Sequence, residues 1–197
     1  MSVTFELQEF SNRREVGRKG TVGSFGEVVA SRPKISIRES RRSGSYSEVV
    51  LRGDRLPATT YCGIGPGRPG LERACLLVAG APVELHFNAR ALRSRSRALH
   101  LAHQGRAWTY TVSDHGRNAT LEGQDVRILL RSGKSSAGKG TSSYGTVEGE
   151  ADGVDLALAV IFEEVQTTAL TSSGVVASAL NRILTPRSTE TFSPSGE

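Results

Sequence analysis

The sequence predicts a mainly β protein: an antiparallel barrel or sandwich enclosing an apolar helix near the C-terminus, with a second helix after it. Three observations carry this. Short β-branched runs recur about every ten residues, with Gly, Pro, Asn or Asp turn signals between them. Seven apolar residues follow one another from Leu156 to Phe162, and on a helix such a run is hydrophobic on every face. A chain of 197 residues, 37% of them hydrophobic, is also long enough to close a core around that helix.

Taken in order, Val3, Phe5 and Leu7 alternate with Thr4, Glu6 and Gln8, the two-residue period of a half-buried strand. Gly23-Ser24-Phe25-Gly26 reads as a hairpin turn. Val28-Val29, Ile35 to Ile37 and Glu48 to Leu51 are further short strands, the last ended by Gly53-Asp54. Residues 63–70 hold four Gly and two Pro and read as a loop. Ala74 to Val78 and Val83 to Phe87 flank Ala79-Gly80-Ala81-Pro82 as a hairpin, and Ala98 to Ala102 and Trp108 to Val112 flank a turn at Gly105. Asp114-His115-Gly116 turns the chain into Ala119 to Leu121, and Val126 to Leu130 follows. Residues 132–145, rich in Gly and Ser, read as a long exposed loop.

Asp152 stands as an N-cap and Asp155 puts a negative charge in the first turn, where the helix dipole favours it. Leu and Ala dominate the run that follows, which favours a helix over a central strand, for which Val160-Ile161-Phe162 has the propensity. Val175, Val176, Ala179, Leu180, Ile183 and Leu184 recur at spacings of three and four, so a second, amphipathic helix is expected from about Ser173 to Leu184, stopped by Pro186. Residues 1–184 are read as one domain and 185–197 as a disordered polar tail.

The formal charge is +5, carried by 21 Arg and only 4 Lys against 20 acidic residues. That imbalance fits a GC-rich bacterial genome, so the basic balance is a weak pointer to nucleic acid. Residues 1–55, 56–117 and 118–197 carry net charges of +4, +5 and −4, so the first two thirds suit an acidic partner. The densest basic stretches are Arg90, Arg93, Arg95 and Arg97, then Arg41 and Arg42 with Arg38. These are the candidate anion- or partner-contacting residues. No aromatics interleave with them, so specific nucleic acid binding is not expected.

Chemistry-bearing motifs are few. Gly133 to Thr141 resembles a phosphate-cradling loop, but Gly140 stands where a hydroxyl residue must follow the lysine. His100 and His103 would point to opposite faces of a strand, so no metal site is assigned. Cys62 and Cys75 read as two reduced thiols, too few for a disulfide framework or a zinc cage. No catalytic residue and no cofactor are assigned.

Arg97-Ala98-Leu99-His100-Leu101, then Gly105-Arg106-Ala107-Trp108-Thr109-Tyr110, then Asp155 to Phe162 form an ordered set: strand, Gly turn, strand with an aromatic, and apolar helix. In this order the chain resembles the C-terminal domain of Tubby-like proteins together with the LURP-one-related and scramblase-like proteins. The resemblance implies a closed β-barrel around a hydrophobic helix, and association with lipid or a membrane surface, or a scaffold role, without catalysis. It carries over no binding residue.

The leading expectation is therefore a non-catalytic β-rich binding or scaffold domain that contacts a protein or an anionic membrane surface. A structural subunit of a larger assembly, such as a phage-like particle or secretion apparatus, is the first alternative. An enzyme whose site is built from the loops at 57–70 and 113–118 is the second. No apolar run is long enough to cross a bilayer, and MSVTFELQEF lacks the basic and apolar segments of a secretory signal, so a cytoplasmic location is expected.

Overall fold

The computed structural model describes residues 3–34, 46–65, 67–88, 97–136 and 140–171. Twelve strands form one closed antiparallel barrel in which every strand pairs with its neighbours in sequence and β1 closes the ring against β12. They are β1 (Val3–Ser11), β2 (Glu15–Thr21), β3 (Glu27–Pro33), β4 (Tyr46–Gly53), β5 (Thr59–Ile64) and β6 (Cys75–Val78), then β7 (Ala81–Phe87), β8 (Leu99–His103), β9 (Arg106–Ser113), β10 (Asn118–Glu122), β11 (Val126–Lys134) and β12 (Thr141–Gly149). One helix, α1 (Gly153–Ile161), follows and runs on into a 3-10 turn, Phe162–Glu164.

The need for the helix follows from the strand count. Strands about 4.8 Å apart and tilted about 40°, twelve of them, make a wall of about 12 Å radius. Inward side chains fill only the outer part of that bore. The space left at the axis is about the 10–12 Å width of an α-helix. α1 occupies it, and Leu156 through Phe162 are each at most 1% exposed. Around them stand inward residues from across the ring: Leu7, Val28, Leu51, Tyr61, Leu76, Leu101, Trp108, Leu121 and Ile128. The Phe162 ring lies 4.7 Å from that of Tyr110 and 5.8 Å, edge on, from that of Tyr61.

Most outward positions are polar, as Glu6, Lys19, Arg52, Glu84, His100 and Arg127 illustrate, with Val29, Val50, Leu77 and Leu129 as apolar exceptions. This is the reverse of the apolar outer band of a barrel that crosses a bilayer. No helix among the described residues is long and apolar enough to cross a membrane.

A capping box starts the helix. The Asp152 carboxylate accepts from the amides of Val154 and Asp155 at 2.9 and 3.0 Å, and Asp155 accepts from the amide of Asp152 at 2.9 Å. Asp155 is itself buried, and its other oxygen accepts from Trp108 Nε1 and Arg106 Nη2, both at 2.7 Å. Arg106 also reaches Asp152 at 2.6 Å and lies over the Trp108 ring. The β8–β9 hairpin therefore holds the mouth of the helix directly. Its turn, Gln104-Gly105, has positive φ at both residues, as does Ala79-Gly80 between β6 and β7. That is the two-residue geometry whose twist matches the flanking strands.

The structure corrects the extent of several elements. Most of 132–145 is strand, not loop: Ser132, Gly133 and Lys134 pair with Ser143, Ser142 and Thr141. Ser136 caps this hairpin by donating its hydroxyl and amide to Glu6, which holds that carboxyl down to about 2. Inward positions here are small, and the ring of Phe5 covers Gly145, where a Cβ would strike it. β2, β5 and β12 lack the apolar alternation that marks the other strands, since Arg18, Thr59, Gly63, Ser143 and Gly145 take inward or buried places. The expected strand at 35–37, the second helix at 173–184 and the tail at 185–197 lie outside the described residues.

Leu158 is completely buried. Leu158→Ala should cost about 2–5 kcal/mol in urea unfolding. Leu158→Asp, which puts a carboxylate at the barrel axis, should abolish the cooperative transition seen by circular dichroism.

Candidate functional site

The two ends of the barrel differ chemically. At the end where α1 finishes, four consecutive strands of the wall present polar side chains towards the axis: Ser143 from β12, Glu9 from β1, Arg18 from β2 and Arg32 from β3. The 3-10 turn brings Glu163 and Glu164 to meet them. Glu164, 1% exposed, accepts from Arg32 Nε at 3.2 Å, with Arg18 Nε at 3.4 Å and Arg68 Nη2 at 3.6 Å. Glu163 accepts from the Ser143 hydroxyl and lies 3.9 Å from Arg18 Nε. Adjacent carboxylates would point apart on a regular helix. Arg18 Nε lies between the two and reaches both, at 3.4 Å from Glu164 and 3.9 Å from Glu163.

Arg18 is the centre of this cluster. Its side chain is 6% exposed and also reaches Glu9 at 3.4 Å. Its Nη1 is buried and has no hydrogen-bond partner among the described residues. Burial pushes the Glu164 carboxyl above its ordinary range, and the charges of Arg68, Arg18 and Arg32 oppose that rise. Burial, with the Glu163 carboxylate nearby, also raises the Tyr110 phenol well above its usual value.

Next to Arg18 is a small cavity of about 70 Å³, which Tyr110, Arg117, Ser132 and Thr167 also line. Arg68, Gly116, Val165 and Thr167 border both it and an outer basin of about 490 Å³, which Arg32 and Gly67 complete. Together they form a recess with arginine at its rim and at its base. The loop carrying Gly67 and Arg68 is held to the barrel end: Tyr61 donates to the Gly70 carbonyl at 2.9 Å, Gln166 N to Pro69 O at 2.8 Å, and Arg32 Nη1 to Gly67 O at 3.4 Å. Parts of the loops expected at 57–70 and 113–118 therefore meet in this recess.

The arginines singled out by their density fare differently. Arg97 is a correction: it is 3% exposed and donates to the Ala169 carbonyl at 2.7 Å, so it ties the segment after the helix to the barrel and is not a surface contact. Arg41, Arg42, Arg90, Arg93 and Arg95 lie outside the described residues. His100 is exposed and His103 buried with Nδ1 at 3.1 Å from the Pro82 carbonyl, the opposed arrangement expected of a strand. No group of three metal-ligating side chains forms among the described residues. The arginines that do converge, Arg18, Arg32, Arg68 and Arg117, are scattered in sequence, and only the inward parity of β2 and β3 could have marked the first two.

No protein-family model, no curated protein and no solved structure matches the chain.

The raised Glu164 pKa has a defined consequence. The folded state holds this proton more tightly than the unfolded chain, so the group's contribution to stability is fully present below about 4.5 and is lost as pH rises through the higher folded value. In Glu164→Gln that loss is absent. Thermal melts of parent and variant from pH 4 upward should therefore show the parent losing stability relative to the variant over the window just above 4.5.

Proposed function

We propose that this chain is a binding domain without catalytic chemistry of its own, and that it captures a phosphate-bearing group of an anionic membrane surface in the arginine-lined recess. The observation that carries the reading is the convergence of Arg18, Arg68 and Arg117, with the Glu163 carboxylate, on one small cavity, where Arg18 also keeps Nη1 buried and unpartnered among the described residues. A buried donor without an acceptor costs on the order of 1–3 kcal/mol. An oxyanion that takes the Arg18 guanidinium as its partner would recover that cost. Planar guanidinium groups suit the oxygens of a phosphate, which can accept two donors from one arginine. The four arginines outnumber the three carboxylates of Glu9, Glu163 and Glu164, so an anion enters a site of net positive charge.

The shape favours a headgroup over a flat protein contact. The outer basin admits a compact polar group, and the inner cavity is of the size of a single phosphoryl group. The resemblance to Tubby-like, LURP-one-related and scramblase-like proteins points the same way, towards a membrane surface met by a barrel around a helix.

Vesicles of phosphatidylcholine containing phosphatidic acid, whose headgroup is a phosphate monoester, test the reading in a flotation assay. The parent should bind them in preference to phosphatidylcholine alone, and added salt should weaken the binding. The Arg68→Ala, Arg117→Ala double variant should bind at least about tenfold more weakly, the effect of losing one charged hydrogen bond or more. Equal binding by parent and variant overturns the site. Absence of vesicle binding by the parent overturns the membrane reading.

A further inference from the structure

The two cysteines, separated by the whole glycine-rich loop in sequence, are directly opposite one another in the barrel. Cys62 on β5 pairs in register with Cys75 on β6, and this is the last rung of the pairing before the loop that carries Arg68. Tyr61 and Leu76 point inward, so Cys62 and Cys75 both lie on the outer face, where Cys62 is half-buried and Cys75 exposed. Residues directly opposite in antiparallel strands have Cα atoms about 4.5 or 5.5 Å apart. Both spacings lie within the range of about 4.4–6.8 Å that a disulfide spans.

We propose that Cys62 and Cys75 are a dithiol site that oxidises to a cross-strand disulfide, closing the base of the 63–74 loop and restraining Arg68 at the recess. The oxidant is a peroxide. The exposed Cys75 thiolate attacks one peroxide oxygen, the O–O bond breaks, and Cys75 sulfenic acid and water form. Cys62 then attacks the Cys75 sulfur, the S–O bond breaks, and the departing hydroxide leaves as a second water with the Cys62 proton. Two thiols lose two electrons and two protons, and hydrogen peroxide is reduced to two waters.

The environments divide these roles. Burial, then the Glu48 carboxylate across the β4–β5 pairing, raises the Cys62 thiol. That makes Cys62 a poor first nucleophile and keeps it as the resolving thiol. The loop enclosed by the bond is already fixed at Tyr61–Gly70 and Pro69–Gln166, so closure adds its restraint on the strand side. The formation of the bond is independent of any ligand, whereas its effect on anion capture rests on the function proposed above.

The full chain treated with hydrogen peroxide should become resistant to thiol alkylation and lose the mass of two hydrogens. Tryptic cleavage after Arg73 separates the two cysteines, so a non-reducing digest should contain their peptides as one linked species. Cys75→Ser should leave Cys62 alkylatable after the same treatment. Two thiols still alkylatable, or a bond joining two copies of the chain, overturn the dithiol. Oxidised parent should bind phosphatidic acid vesicles about threefold to tenfold more tightly than reduced parent, the gain expected from preorganising a contacting side chain. A disulfide that forms with unchanged vesicle binding overturns the coupling to Arg68. A disulfide that forms in a protein with no vesicle affinity in either state overturns the membrane reading and the coupling, and leaves the dithiol standing.

Discussion

The width of a twelve-stranded ring governs this protein. A narrower barrel packs its axis with side chains and a much wider one holds water. Here the bore matches a helix, so strand number and a fully apolar helix are mutually dependent. Burial of Leu156, Leu158, Val160, Ile161 and Phe162, each contributing about 1.5–3 kcal/mol, requires wall on every side. Among the described residues the wall in turn has no other filling at its axis.

A filler that is apolar all round has little to fix its rotation or depth. The ends supply that information through polar contacts. At the helix start, Asp155 receives the Trp108 indole and the Arg106 guanidinium while the capping box satisfies the first amides. At the helix finish, Glu163 and Glu164 dock among Arg18, Arg32 and Arg68. Buried ion pairs are weak contributors to net stability but strong determinants of register, because a shifted helix would strand charges without partners. The finish is less fully satisfied than the start. It retains a buried guanidinium nitrogen of Arg18 without an acceptor among the described residues, and Arg18 also lines a cavity. A structural seam that keeps surplus donors can also bind, and the proposed role grows out of that surplus.

The loop between β5 and β6 joins several of these features. It places Arg68 against Glu164, lends its Gly70 carbonyl to Tyr61 and its Pro69 carbonyl to Gln166, and begins and ends at paired cysteines. Read as sequence it is only a run of Gly and Pro. Its glycines allow close approach of backbone to backbone: a Cβ at Gly63 would meet the Gly70 carbonyl and one at Gly65 the Arg68 carbonyl.

The sequence by itself determined the β class, the hairpins β6–β7, β8–β9 and β9–β10, the capping residues Asp152 and Asp155, and a helix buried on all sides, because these follow from local periodicity, turn chemistry and hydrophobic runs. β2, β5 and β12 were hidden because their inward places hold Arg18, Thr59, Gly63, Ser143 and Gly145, residues that suit a charged seam, a loop or a covering ring and leave no apolar alternation to read. The recess was hidden for a different reason. Its arginines lie on β2, on β3, in the β5–β6 loop and beside the β9–β10 turn, and only closure of the ring brings them together. Density along the chain pointed instead to Arg97, which the fold buries as a tie to Ala169. Local rules set which segments became strand and helix. Which charges face one another was decided by barrel register, since that pairs residues distant in sequence.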